Sequence, residues 1–233
     1  MTHDIVELRL RLNRPVTFVA GQFAELECDA VQGARSYSFA GWPEEGSTLE
    51  PIFYVRKVPG GAFTGWLFSQ DRVGAPLTMR APFGTFRLRK GQGRIVMVGG
   101  GSGLAPLKCM LERWVSEETR PVTLLYGART LKDLFCVEEI AAIGRNWQAE
   151  FKLLPVLSME DPGSPWTGAR GMVTEYLDQV PDVKSAQAYL CGPPPMVDAA
   201  EAALIKRGMA RDTIFADRFF DRSHLAEEAG TGG

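Results

Sequence analysis

Ile95-Val96-Met97-Val98-Gly99-Gly100-Gly101-Ser102-Gly103-Leu104-Ala105-Pro106 is the stretch whose reading decides the fold. Its apolar opening suits a strand covered on both faces, its glycines a tight turn, and Leu104 the start of a helix. Glycines let a backbone approach a pyrophosphate, and the helix start adds unpaired N–H groups. The string is not a strict G-x-G-x-x-G, because Pro106 stands where a third glycine would fall. Nor is it a P-loop, since no Gly-Lys-Ser/Thr closes it. Alone, it leaves nucleotide binding and a plain tight turn both open.

Working outward, the second half alternates. Strands are expected at residues 94–98, 122–126, 149–155, 186–190 and 213–216, with helices at 104–117, 131–143, 172–179 and 194–207. Alternation of this kind implies an α/β doubly wound parallel sheet. The first half reads differently. Val6, Leu8, Leu10 and Leu12 share one face and Glu7, Arg9 and Arg11 the other, the pattern of a half-buried antiparallel strand. Further strands at 22–27, 35–40, 51–57 and 77–81, with polar turns between them and a short helix at 63–69, read as a small antiparallel barrel. The expected fold is therefore an N-terminal antiparallel six-stranded β-barrel over residues 1–90, followed by the doubly wound sheet over 91–233. Lys90-Gly91-Gln92-Gly93 marks the boundary. The first strand starts almost at Met1, which suits a natural start and equally a domain cut from a longer chain. The tail from Glu227, ending Gly230-Thr231-Gly232-Gly233, is expected to fray.

Composition excludes several classes. The net charge of −2 over 233 residues gives nucleic acid or an anionic membrane no basic surface to bind. Residues 95–107, the most apolar run, are too short and glycine-rich to span a bilayer, and the N-terminus lacks a signal peptide's regions. A cytoplasmic protein is expected. Cys28, Cys109, Cys136 and Cys191 are far apart, without zinc or iron–sulfur spacing, and no metal site is expected. His3 and His224 are the two histidines of the chain, both near its ends, which argues against a His-dependent hydrolase.

Three further segments carry candidate chemistry. In Arg35-Ser36-Tyr37-Ser38, alternation puts Arg35 and Tyr37 on one strand face, with Ser36 and Ser38 on the other. Arg can grip a pyrophosphate and Tyr can stack on a flat ring, while the plainer reading is an edge Arg and a packed Tyr. Cys191-Gly192-Pro193-Pro194-Pro195-Met196 leaves a buried strand and enters a helix with proline in its first turn. In open parallel sheets, ligands sit at such strand ends. The acidic residue expected near the end of the second parallel strand is missing; Tyr126-Gly127-Ala128-Arg129 stands there, with Asp133 four residues on. Arg129 is a candidate for a 2′-phosphate or a solvated loop residue, and Asp133 for a ribose contact or a helix cap.

Taken in order, these segments resemble the ferredoxin–NADP⁺ reductase superfamily across essentially the whole chain. Tyr54-Val55-Arg56, Gly60-Gly61-Ala62-Phe63-Thr64 and Asp217-Arg218-Phe219 also match the family's pattern. The resemblance implies that Arg35, Ser36, Tyr37, Ser38, Tyr54, Val55, Arg56, Gly61, Ala62, Phe63 and Thr64 hold FAD. Tyr37 would stack on the flavin and Ser38 would lie near its N5. Gly100, Gly101, Gly103, Gly192 and Pro193 would surround the pyridine nucleotide and Ser102 would sit between it and the flavin, while Arg129 and Asp133 stay candidates with both of their readings open. Cys191 would lie near the nicotinamide, Asp217 would be a nearby carboxylate, and Phe219 would cover the other flavin face; Ser38, Cys191 and Asp217 are the implied catalytic residues. Within the superfamily, Pro82-Phe83-Gly84-Thr85-Phe86 and residues 190–200 and 215–219 look most like the FAD/NAD(P)H domain of di-iron monooxygenase reductases, of the soluble methane or phenol hydroxylase kind. Those carry an N-terminal [2Fe–2S] domain that these residues do not include. The implied activity is hydride transfer from NADH, in preference to NADPH, to FAD, and then single electrons to a ferredoxin domain feeding an oxygenase. Alternatives of the same resemblance are a Rieske dioxygenase or flavohaemoprotein-type reductase module and a free flavin reductase. A non-enzymatic alternative is a nucleotide-binding redox sensor.

Overall fold

Seven strands and one short helix come first along the chain: β1 (Ile5–Arg9), β2 (Val16–Thr17), β3 (Phe23–Cys28), β4 (Val31–Ser38), β5 (Ser47–Thr48), β6 (Ile52–Arg56), α1 (Ala62–Phe68) and β7 (Thr78–Phe83). The computed structural model describes residues 1–220; His224 and the expected frayed tail lie outside the described residues. Antiparallel ladders pair β1 with β6, β2 with β5, and β3 with both β4 and β7. A bridge between Phe39 and Phe53 ties the β4 side to β6 and draws the ladders into a barrel. The period-2 reading of β1 holds: Val6 and Leu8 pack against the core while Glu7 and Arg9 are exposed.

The second half contains β8 (Ile95–Gly100), α2 (Leu104–Trp114), β9 (Val122–Ala128), α3 (Val137–Asn146), β10 (Phe151–Leu157), β11 (Ala169–Arg170), β12 (Gln187–Gly192), α4 (Pro194–Lys206) and β13 (Ile214–Arg218). They build one six-stranded parallel sheet in the order β11-β10-β9-β8-β12-β13. From β8 the chain winds outward through β9 and β10, then returns to place β12 on the other side of β8. The direction of winding therefore reverses between β8 and β12, which opens a crevice at their carboxyl ends.

Side-chain alternation decides which half of the molecule each strand residue meets. Met97, Leu124, Tyr126, Tyr189 and Cys191 join the core shared with the barrel. Val96, Val98, Leu125, Ala188 and Leu190 face the opposite way and pack with Val197, Ala200 and Leu204 of α4. Hydrophobicity on both faces is why β8 and β12 read as continuous apolar runs.

The helix expected over residues 131–143 is broken. A 3₁₀ turn at Leu131–Asp133 is followed by extended Leu134, and Cys136 takes φ 55° before α3 begins. Burial of Phe135 against Tyr54 and Tyr126 explains the break, because a continuous helix would not aim that ring into the core. Residues 173–179 likewise form 3₁₀ rather than α-helix.

The barrel and α2 meet closely at Gly21. Its φ is +102°, and a Cβ there would lie 2.3 Å from both the Phe86 carbonyl oxygen and the Met110 methyl. Gly21→Ala is expected to cost about 3 kcal/mol, since backbone must move and the conformation is unfavourable for a side chain. At roughly 2–4 °C per kcal/mol, the melting temperature should fall by about 10 °C. Gly74→Ala, at φ +83° but with open space around it, should lose about a third of that. Equal losses would contradict the close packing at Gly21.

Candidate functional site

The crevice predicted by the winding reversal is present. A cavity of about 230 Å³ is lined by Gly100 at the end of β8 and Gly101 after it, Gly127 and Ala128 of β9, Pro193 just before α4 and Met196 in its first turn, and Val173. Glycine is required at several of these points by space. A Cβ on Gly100 would lie 2.6 Å from the Met196 sulfur, and one on Gly103 would lie 2.4 Å from the Cys191 carbonyl oxygen. Gly101 differs: φ is +54° and nothing lies within 4 Å of the Cβ position, so bare backbone faces the open crevice. The sequence-predicted residues Gly100, Gly101, Ser102, Gly103, Gly192 and Pro193 thus come together from two turns packed on each other. A surface of free backbone at a helix start fits the pyrophosphate of a dinucleotide.

One wall of this cavity comes from the barrel, through Asp4, Ile5 and Arg56. Arg129 faces them and is not a free loop residue. Its Nη2 donates to Asp133 Oδ1 at 2.8 Å and to Asp4 Oδ2 at 3.0 Å, and Arg56 Nε also donates to Asp4 Oδ2 at 3.4 Å. Asp133 lines the cavity and also caps the 3₁₀ turn, accepting the Thr130 backbone N–H and hydroxyl, each at 2.9 Å. Burial would raise its pKa, but the Thr130 hydrogen bonds and Arg129 hold the carboxyl below the usual range. Asp4 was invisible to motif reading, because its partner is 125 residues away. Met172, Val156 and Ser158 also line the cavity without belonging to any motif.

On the barrel side, Tyr37 and Phe63 stand with ring centroids 5.7 Å apart, so the stacking candidate and the α1 turn share a wall. Burial pushes the Tyr37 hydroxyl above its ordinary pKa, leaving a neutral ring. The turn before α1 is tight: a Cβ on Gly61 would lie 2.7 Å from Thr64 Oγ1, which itself accepts the Val58 N–H at 3.1 Å. The flat Tyr37 ring beside this glycine turn fits a flavin dinucleotide. Arg35 donates from Nη1 to the Gly33 and Ala34 carbonyls at 3.0 and 2.9 Å, folded onto its own strand. Ser36 is exposed on the opposite face, and Val55 is fully buried. Tyr54 reaches across to the second half, its hydroxyl 3.2 Å from Cys136 Sγ. Arg56, on the same strand, lines the crevice cavity.

Two of the three implied catalytic residues are register partners. Cys191 pairs with Asp217 in the β12–β13 ladder, and alternation turns both toward the barrel, as it does Phe215. Asp217 lines a second cavity, of about 330 Å³, with Phe23, Phe86 and Arg89. Phe23 is the register partner of Ser38, which is itself buried. Phe219 is anchored beside this group by its N–H, which donates to the Gly192 carbonyl at 2.9 Å. Burial raises the Cys191 thiol well above its usual pKa, and the Asp217 charge adds to the effect. Burial also raises Asp217, to about 6. Neither group is built as a strong nucleophile or as a permanently charged base.

Comparison with known proteins agrees with this geometry. An "oxidoreductase FAD-binding domain" model matches residues 1–88 and an "oxidoreductase NAD-binding domain" model matches residues 97–202. The chain is 48% identical over 223 residues to the xylene/toluene monooxygenase electron transfer component of Pseudomonas putida, covering 95% of this chain and 63% of that protein. It is 40% identical to the propane 2-monooxygenase reductase component of Rhodococcus jostii, covering 94% of this chain and 60% of that one. Among solved structures, an Amycolatopsis cytochrome P450 reductase superposes with a TM-score of 0.85 at 33% identity, over 94% of this chain and 66% of its own. The chain thus spans less than two thirds of the length of each of these relatives. Among the described residues, no helix is long and apolar enough to cross a membrane.

The raised Asp217 pKa has a thermodynamic consequence. A carboxyl that titrates higher in the folded state contributes stability below its unfolded pKa near 4 and loses it as pH rises through about 6. Asp217→Asn should therefore be more stable than the parent at pH 8, by at most about 3 kcal/mol, with the gap closing toward pH 4. Melting temperatures of both proteins across that range check this. A gap independent of pH would mean that Asp217 ionises normally.

Proposed function

The chain belongs to the oxidoreductases that join an FAD-binding barrel to an NAD-binding domain in the ferredoxin reductase fold, and on that premise we propose that it oxidises NADH and passes the electrons singly to a [2Fe–2S] ferredoxin domain serving a multicomponent monooxygenase. The observation that carries this reading is the convergence, at one winding reversal, of Gly100 and Gly101 at the end of β8, Pro193 and Met196 after β12, and the barrel's Arg56. FAD, when bound, connects two-electron oxidation of NADH to one-electron acceptors.

The chain's own residues divide the work. Residues 1–90 hold the flavin: Tyr37 offers a flat face to the ring, while Arg35 and the Gly61–Thr64 turn take the pyrophosphate. Tyr54, Val55 and Arg56 shape the wall between the two sites. Residues 91–233 hold NADH, with Gly100 to Gly103, Gly192 and Pro193 around its pyrophosphate and Asp133 at its adenosine ribose. Ser38 orients the flavin edge. Cys191, kept neutral by burial, gives the nicotinamide a small uncharged neighbour. Phe219, held by its N–H on the Gly192 carbonyl, would cover the exposed flavin face. No imidazole is needed for any of these roles, consistent with histidines confined to the chain ends.

The monooxygenase assignment is supported by the 48% identity to a xylene/toluene monooxygenase component. A second reading, service to a cytochrome P450, is favoured by the likeness to the Amycolatopsis reductase. The acceptor is the ferredoxin domain of the same polypeptide, and the protein works in the cytoplasm, where NADH is regenerated. Purified protein should be yellow and should bleach with about one equivalent of NADH under anaerobic conditions, one hydride reducing one flavin. A colourless protein that stays colourless with added FAD would overturn the proposal. Ser38→Ala should retain FAD yet slow stopped-flow flavin reduction about tenfold or more, the scale of one lost orienting contact. Unchanged rates would remove Ser38 from the mechanism.

A further inference from the structure

In a doubly wound sheet the ribose 2′ position is read at the end of the second strand, which here is the end of β9. An acidic residue there accepts hydrogen bonds from the ribose hydroxyls, whereas an arginine suits a 2′-phosphate. This chain places Arg129 at that point, yet gives both of its ionic contacts to carboxylates: Asp133 at 2.8 Å and Asp4 at 3.0 Å. Asp4 does not belong to the nucleotide-binding half at all. It precedes β1 in the barrel, where Thr2 Oγ1 donates to its Oδ1 at 2.9 Å and Arg56 Nε donates to its Oδ2 at 3.4 Å.

Resting on the dinucleotide reading above, we propose that Asp4 and Asp133 clamp Arg129 between barrel and sheet so that the cleft selects NADH and rejects NADPH. The charges of Arg56, Arg129, Asp4 and Asp133 cancel, so the wall offers no excess positive charge. A 2′-phosphate brings a charge of nearly −2. Both carboxylates are held by Nη2, so Arg129 either gives them up to meet the phosphate with that nitrogen or meets it through another with both carboxylates close by. Asp133 cannot turn away, because its second oxygen is held by the Thr130 N–H and hydroxyl. A 2′-hydroxyl meets no such conflict, since it donates to the carboxylate lone pairs that remain. His3, Asp4 and Asp133 also lie close enough to share a cation, but guanidinium groups already occupy both carboxylates, so a metal reading is not supported.

The clamp is tested by calorimetric titration of the purified FAD-loaded chain with NAD⁺ and NADP⁺, which reads binding without turnover. The parent should bind NAD⁺ more tightly by a factor on the order of 100, the scale of like charges brought together. Asp4→Asn should release Arg129 on one side and shrink that ratio about tenfold. Asp133→Asn, checked for an unchanged fold by circular dichroism, should shrink it as well. Equal affinity of the parent for both nucleotides, or ratios that neither variant moves, would overturn the clamp alone. Binding of neither nucleotide would remove the dinucleotide reading, and the clamp with it.

Discussion

The seating of the barrel on one face of the parallel sheet is the constraint on which the rest of the molecule depends. Phe18, Leu26, Phe39 and Phe53 of the barrel share one core with Leu107 and Met110 of α2 and with Met97, Tyr126 and Tyr189 of the sheet. Apolar burial supplies the attraction but not the register, because it has no direction. Register comes from polar pins across the seam. The Trp42 N–H donates to Glu112 Oε2 at 2.8 Å, the Arg89 N–H donates to the Tyr189 hydroxyl at 2.8 Å, and Lys108, paired with Glu112, reaches the Ala40 carbonyl. Both cavities described above lie on this seam, and neither half lines either of them alone.

How much of this was legible in the sequence depends on how local each cause is. The apolar runs of β8 and β12 and the Gly and Cys-Gly-Pro segments that close them are local signals, and both strands stand where expected, each running two residues further, to Gly100 and Gly192. The ordered motifs also carried the family. Helix α3 was misjudged because its start is set by Phe135, whose reason for breaking the helix lies in Tyr54 and Tyr126, far away in sequence. Arg129 was legible as a position but not as a partner. Its chemistry is decided by Asp4, an unremarkable residue of the first turn that no spacing rule connects to it.

Two aspartates show how one side chain type is tuned in opposite directions within a single seam. Asp133 is surrounded by donors, from Thr130 and Arg129, and stays charged to unusually low pH. Asp217 is enclosed by Phe23, Phe86 and Phe215, has Cys191 as its strand neighbour, and titrates near 6. The causes of the contrast differ. Asp133 follows a strand end and accepts hydrogen bonds from Thr130 and Arg129, whereas burial alone acts on Asp217.

The burial of the thiols bears on chemical endurance. Hydrogen peroxide attacks thiolates far faster than thiols. Cys109 and Cys191 are fully buried, and burial raises both pKa values; Cys136 is raised as well, with its sulfur against the Tyr54 hydroxyl. At neutral pH these three sulfurs carry almost no negative charge. The packing that seats the barrel on the sheet thus leaves these sulfurs in the thiol form, which oxidants attack slowly.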